Sequence, residues 1–250
     1  MSKLGKIRLD QALVNRGLVE SRTRAQALIM AGNVFSGDKP LTKAGMNISV
    51  DTKISIRGKA HPWVSRGGLK LSYGLVHFGI KTLGATALDI GASTGGFTDV
   101  LLNKGAKKVY AVDVGYGQLD WKLRVDERVI VLEKTNARYL NADLITDKLN
   151  MIVCDVSFIN LQTVLPAALS LVSESAFLIA LIKPQFEVGR GQVGKGGIVR
   201  ETSLHEAVCS RINDWLSSVP NWTVLGITES PIKGSQGNRE FLIGAEHIPL

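Results

Sequence analysis

The sequence predicts an α/β protein built on a mostly parallel, seven-stranded sheet, with a small basic α+β module ahead of it. Three observations carry that prediction. From Thr86 onward, short apolar runs alternate with helix-patterned segments, the β-α order of a doubly wound sheet. The last two runs, "TVLGITES" and "REFLIGA", stand close together with no helix between them, so one antiparallel strand is expected near an edge of the sheet. Charge is also segregated. Residues 1–66 hold twelve Lys or Arg against four Asp or Glu, whereas residues 67–250 hold eighteen of each, so the net charge of +8 belongs to the first quarter of the chain. Such a module suits a polyanionic partner.

With 250 residues, 45% apolar and 21% charged, the chain can bury a full core. No run reaches the ~18–20 apolar residues of a transmembrane helix, and no stable membrane association is expected. The first seventeen residues have neither a long apolar core nor a small-residue cleavage site, so no signal peptide is predicted. Cys154, Cys209 and four scattered histidines form no zinc pattern. A reducing cytoplasm and no metal are the expectations.

The elements follow in order. In "RLDQALVNRG", Leu9, Ala12 and Leu13 recur at helical spacing and Gly17 stops the helix. In "ESRTRAQALIMAGNVF", Ser21 is the expected N-cap, Ala25, Leu28 and Ile29 the apolar face, and Gly32 the stop. Arg22 and Arg24 fall in the first turn, with Arg16 nearby, where cations oppose the helix dipole and a bound phosphate would relieve them. Short β-like runs follow. The joint "HPWVSRGGLKLSYGL" separates a first domain, 1–60, and a linker, 61–68, from a second domain, 69–250, whose first helix is expected near Leu69. Strands are read at "TALDIG", "KVYAVDV", "RVIVLEKT", "LNMIVCDV" and "AFLIALIK", and helices at "GFTDVLLNKG", "GQLDWKLRV", "INLQTVLPAALSLV" and "SLHEAVCSRINDWLSSV".

Two places in this framework point to chemistry. The first is the bend after "ALDIG", with Gly91, Gly95 and Gly96, where glycines let a ligand approach the backbone. Its G-x-x-x-G-G spacing is neither a dinucleotide fingerprint nor a P-loop. Asp113 ends the next strand, where an acid can accept both ribose hydroxyls. The second is Lys183, the first polar residue after the apolar run 176–182. A buried-strand tip is a costly place for a charge unless a function needs it. Ligands of open α/β sheets sit beyond the strand C-terminal ends. Asp155 ends a neighbouring strand, and Glu240 begins the last one, which reaches the same edge if reversed. Lys70 lies on the helix just ahead and can reach the same mouth.

These stretches resemble known families. "IRLDQALVNRGLVESRTRAQALIMAGNVFSGDK" looks like an S4 RNA-binding domain, which makes Arg8, Arg16, Arg22 and Arg24, with Arg66 at the joint, candidate RNA contacts. "DIGASTGGFTDVLL" with "AVDVGYGQL" resembles the signature of class I methyltransferases, a Rossmann-like fold that binds S-adenosylmethionine. That resemblance assigns Asp89 to the methionine amine, Gly91, Ala92, Ser93, Thr94, Gly95, Gly96 and Phe97 to the cofactor bend, Asp113 to the ribose, and Asn136 and Ala137 to the adenine. Lys70, Asp155, Lys183 and Glu240, in "SRGGLKL", "CDVSFI", "LIKPQFE" and "NREFL", match the K-D-K-E tetrad of FtsJ-like ribose 2′-O-methyltransferases. Over its whole length the chain resembles the TlyA, or haemolysin A, family. The resemblance implies methyl transfer to the 2′-hydroxyl of rRNA cytidines within ribosomal subunits.

The residue types suit that reaction. A ribose hydroxyl is a weak nucleophile until its proton is loosened. Lys183 can either accept that proton, if its own affinity for one is lowered, or stay charged and stabilise the developing alkoxide. Holding oxygen, methyl and sulfur in line supplies much of the rest. Ser157 and Phe158 either meet an extruded target nucleotide or, for Phe158, pack in the core. The glycine-rich stretch 185–201 is expected to be a mobile loop over RNA, with Arg190, Lys195 and, further on, Lys233 near phosphates. Two other function classes fit less of the sequence: a non-catalytic assembly factor that binds RNA, and a membrane-active haemolysin.

Overall fold

The structure, a computed structural model, describes residues 5–19, 21–57, 61–234 and 237–248. The side chain of Arg190, one predicted phosphate contact, lies outside the described residues, as do residues 235–236 of the loop ahead of Glu240. The chain divides into two compact units, residues 1–62 and 63–250.

The first unit runs β1 (Lys6–Arg8), α1 (Leu9–Asn15), α2 (Arg22–Met30), β2 (Val34–Ser36), β3 (Lys39–Pro40), β4 (Asn47–Ser49) and β5 (Ser55–Ile56). Strand β1 pairs antiparallel with β4, and β2 sits between β3 and β5. The helix signals work as read. Ser21 Oγ accepts from Arg24 N at 3.2 Å, and Leu9, Ala12, Leu13, Ala25 and Ile29 face one small core with Val34 and Ile48. The predicted conflict at the start of α2 is met partly from within. Asp10, fully buried, accepts Arg22 at 3.0 Å, Gln26 at 3.1 Å and both arms of Arg8 at 2.9 and 3.0 Å. These bonds, chiefly those from Arg8, hold the Asp10 carboxyl far below the usual carboxylate range.

The second unit opens with α3 (Gly67–His77), two residues ahead of the predicted start. It continues through β6 (Thr86–Ile90), α4 (Gly96–Asn103), β7 (Lys108–Val112), α5 (Trp121–Arg124), β8 (Val129–Leu132), β9 (Leu149–Cys154), α6 (Leu161–Val164), α7 (Pro166–Leu169), β10 (Val172–Ile182), α8 (Pro184–Glu187), α9 (Thr202–Ser217), β11 (Trp222–Glu229) and β12 (Phe241–His247). The sheet order is β11-β12-β10-β9-β6-β7-β8. Only β12 runs against its neighbours, one place in from the edge. The buried strands divide their side chains by alternation. Leu178, Ala180 and Ile182 pack with α6, α7 and α9, while Ile179 and Leu181 pack with α3 and α4.

Three elements differ from the sequence reading. The helix expected over residues 159–172 breaks at Pro166, which has no N–H to continue α6 and instead starts α7. The helix expected over 117–125 shrinks to Trp121–Arg124, capped by Asp120. Strand β10 begins at Val172 rather than Ala176, with its pairing to β9 interrupted between Val172 and Phe177. Among the described residues no helix is long and apolar enough to cross a membrane.

Candidate active site

Sheet order builds the site. Strands β6, β9 and β10 are parallel neighbours, so Asp155, just past β9, and Lys183, just past β10, emerge side by side next to the Gly91 bend. Because β12 is reversed, its first residue Phe241 pairs with Ile182, and Glu240, one residue earlier, reaches the same edge. Helix α3 packs on β10 and β12 and carries Lys70 there from the other face.

The four side chains meet. Lys183 Nζ lies 2.5 Å from Asp155 Oδ1 and donates to Ser157 Oγ at 3.2 Å. Lys70 Nζ donates to Glu240 Oε2 at 2.6 Å and stands 3.9 Å from Asp155 Oδ2. Asp155 therefore bridges the two amines. The group is well shielded, with side-chain exposures of 10% for each lysine, 20% for Asp155 and 4% for Glu240. Two amines held between two carboxylates offset much of the desolvation that burial imposes on each.

The glycine bend lies against this cluster. Gly91, at φ 81°, turns where a Cβ would come within 2.7 Å of the Asp155 carbonyl oxygen. Gly95, at φ 92°, starts α4, and a side chain there would overlap Leu123. Asp89 is fully buried beneath the bend. Its Oδ2 accepts both the N–H and the hydroxyl of Thr98, at 2.9 and 2.7 Å, while Oδ1 has no hydrogen-bond partner. Burial pushes the Asp89 carboxyl up to about 7. Asp113 accepts Ser93 N at 2.8 Å and Gly115 N at 2.7 Å, which ties the bend to the end of β7. Asn136 caps the turn Ala137–Tyr139 through Arg138 N at 3.1 Å.

Phe158 resolves one open alternative: it is not core. It sits at φ 66° and is 90% exposed, with its ring 4.8 Å from that of Phe186. Arg66 donates to the Lys233 carbonyl at 3.2 Å, tying the loop ahead of Glu240 to the start of α3. In the first unit Arg16 is engaged with the carbonyls of Thr52 and Val50, and Arg8 and Arg22 with Asp10, though the latter two remain about half exposed. The stretch 185–201 carries local structure. It opens with α8, and Val199 is latched at both polar atoms, its N–H on Asn238 Oδ1 and its carbonyl on His205 Nε2, each at 3.0 Å.

Sequence reasoning missed three residues here. Gln185 donates to Glu240 Oε1 at 3.4 Å. Gly234 leaves no room for a Cβ beside the Glu240 carboxylate. Glu187, nearly fully buried, accepts Leu161 N at 2.9 Å. The signal for two of them was present: "KPQFE" sets Gln185 and Glu187 two and four residues past Lys183, within one helical turn.

A doubly wound domain with a glycine bend after its first strand, an acid after its second and a shielded amine–carboxylate cluster at the same edge defines a methyltransferase of the class I type. The FtsJ-like methyltransferase family matches residues 63–247 and the S4 domain residues 7–54. The Bacillus subtilis protein YqxC, provisionally named an rRNA methyltransferase, is 47% identical over 239 residues, spanning 95% of this chain and 85% of its own. The 16S/23S rRNA (cytidine-2′-O)-methyltransferase TlyA of Mycobacterium tuberculosis is 45% identical over 243 residues, 95% of this chain and 89% of its own. A solved structure from Streptococcus thermophilus, provisionally named a hemolysin, superposes with TM-score 0.76 at 42% identity, covering 98% of this chain and 90% of that one. The chain belongs to the TlyA family of FtsJ-like methyltransferases.

Proposed function

We propose that this protein transfers a methyl group from S-adenosylmethionine to the ribose 2′-hydroxyl of a cytidine in ribosomal RNA. The observation that carries the reading is the convergence of Lys70, Asp155, Lys183 and Glu240 beside the Gly91 bend. The cofactor, when bound, supplies an activated methyl on a sulfonium. The residues present fit it. The orphaned, buried Asp89 Oδ1 lacks a hydrogen-bond partner and is free to accept a donor such as the methionine ammonium. Residues 91–97 form the cradle, Asp113 takes the ribose hydroxyls, and Asn136 and Ala137 flank the adenine.

Lys183 is the group assigned to the target oxygen. Its amine is surrounded by a carboxylate, a hydroxyl and, 6.0 Å away, the Phe186 ring. Such company suits an ammonium that donates to the oxygen and stabilises charge as it develops. Asp155 holds Lys183 and Lys70 in place, and Glu240 holds Lys70. Phe158 offers an exposed ring beside them, on which an extruded base can stack. Other exposed aromatics along the same strand ends come with cations, Lys134 over Tyr116 at 4.4 Å and Arg138 over Tyr139 at 5.2 Å, a combination that fits flanking RNA. The first unit's excess charge, with Arg8, Arg16, Arg22 and Arg24, supports its use as the module that finds the folded RNA, and Arg66, Lys195 and Lys233 add charge on the second unit.

The test combines mapping and mutation. Ribosomal RNA from cells with and without the protein is mapped for 2′-O-methyl groups, and purified protein is assayed on ribosomal subunits with labelled cofactor. Loss of a cytidine 2′-O-methyl on deletion, with Lys183→Ala inactive yet still binding RNA, is expected. Identical maps, or full transfer by Lys183→Ala, would sink the reading.

A further inference from the structure

Resting on that reading, we propose that Glu187 is a positioning residue that clamps the loop carrying Asp155, Ser157 and Phe158 against the segment carrying Lys183. The loop, residues 155–161, runs from the end of β9 to the start of α6. The segment, residues 183–187, is one turn of helix. Four contacts, from Lys183, Phe186 and Glu187, zip them together in register. Lys183 meets Asp155 at 2.5 Å and Ser157 at 3.2 Å, the Phe186 ring meets Phe158 at 4.8 Å, and Glu187 Oε1 accepts Leu161 N at 2.9 Å.

The last contact closes the zipper. Leu161 N–H is the first amide of α6 and has no partner within its own helix. Asn160 already uses its side chain on Thr163 N at 2.9 Å. Glu187 fills the vacancy with a carboxylate whose side chain is only 2% exposed. Arg211, from α9, fastens Glu187 from behind, reaching both its Oε2 at 3.2 Å and its main-chain carbonyl at 2.8 Å. The clamp therefore stands on the sheet's own helix layer.

What the clamp holds is strained. A phenylalanine at φ 66°, nine-tenths exposed, persists only where its surroundings over-determine it. With the Leu161 end released, the loop can relax, Phe158 can turn inward, and Asp155 loses its fixed distance to both lysines. Glu187 touches neither methyl donor nor acceptor, so its effect acts through the placement of others.

The experiment compares Glu187→Ala with Glu187→Gln, which keeps an acceptor for Leu161 N–H. Hydrogen exchange of residues 155–161 reads the clamp without turnover. Faster exchange there in Glu187→Ala, and protection near wild type in Glu187→Gln, is expected. Single-turnover methylation should fall at least about tenfold in Glu187→Ala and stay within about threefold of wild type in Glu187→Gln, with cofactor affinity unchanged in both. Unchanged exchange in Glu187→Ala, or a Gln variant as impaired as the Ala variant, overturns the clamp. Should the Ala variant fail to fold, the Gln variant decides: tenfold loss of transfer or loss of protection overturns the proposal, and near-wild-type values sustain it. If wild-type protein methylates no RNA, the proposed function fails while exchange still decides the clamp.

Discussion

Removing Glu240 should destabilise the larger unit far more than an ordinary surface substitution. In Glu240→Ala, Lys70 stays in a pocket where its side chain is 10% exposed and loses its 2.6 Å partner. What remains is Asp155 at 3.9 Å, already engaged by Lys183. At equal dielectric a 3.9 Å contact keeps about two-thirds of the attraction of a 2.6 Å one. Breaking one side of a buried ion pair costs about 3–5 kcal/mol, and the Asp155 contact that persists brings the expected loss to about 2–4 kcal/mol. For a unit of this size that is a fall of about 4–16 °C in Tm. The assay is calorimetry or urea unfolding of the full chain, following the transition of residues 63–250. Lys70→Met combined with Glu240→Leu replaces both charges by apolar volume and should recover most of the stability while remaining inactive. A Glu240→Ala protein within about 0.5 kcal/mol of wild type, or a double variant no more stable than the single, would refute the burial argument.

Gly234→Ala sets a methyl group against the Glu240 carboxylate, so methyl transfer should drop by about tenfold or more with RNA affinity retained, read by paired activity and binding assays. Asp10 has a lowered carboxyl pKa, so its contribution is present above the unfolded value of about 3.9 and is lost as pH falls through the folded one. Asp10→Asn should therefore weaken the first unit at neutral pH and flatten its acid-unfolding profile, followed by circular dichroism. Asp89 is the opposite case. Its folded pKa is raised to about 7, so the folded state loses stability as pH climbs from about 4 to about 7, and Asp89→Asn should abolish that slope in the cofactor-free protein. The same variant should bind S-adenosylmethionine more weakly at pH 8 by calorimetric titration.

Much of the site was legible because strand ends are legible. Lys183 announced itself as a charge after seven apolar residues, and Asp155 stood at the same point of the neighbouring strand. Glu240 was reachable only by supposing that the last strand is reversed, which β12 is. Phe158 stayed undecided between an exposed contact and core because pattern reading treats an aromatic after a buried strand as core, and no periodicity reports a left-handed backbone. Glu187 escaped because its partner, Leu161, is twenty-six residues away on another element and contributes only a main-chain N–H. The charge count in the first 66 residues was right, yet counting cannot reveal that Arg8 and Arg22 both lean on Asp10. Pro166 was visible, but its break was read through as one helix.

The reversed strand also sets a clock. The bond between Lys70 and Glu240 spans 170 residues of chain. At about 5–20 residues per second, roughly 10–35 s of translation separate the two partners. Throughout that interval the early-made basic module is already complete, while β12 has yet to slot between β10 and β11. A nascent molecule thus carries its basic module well before the amine–carboxylate cluster at the sheet edge can close, which waits on the insertion of a single late hairpin.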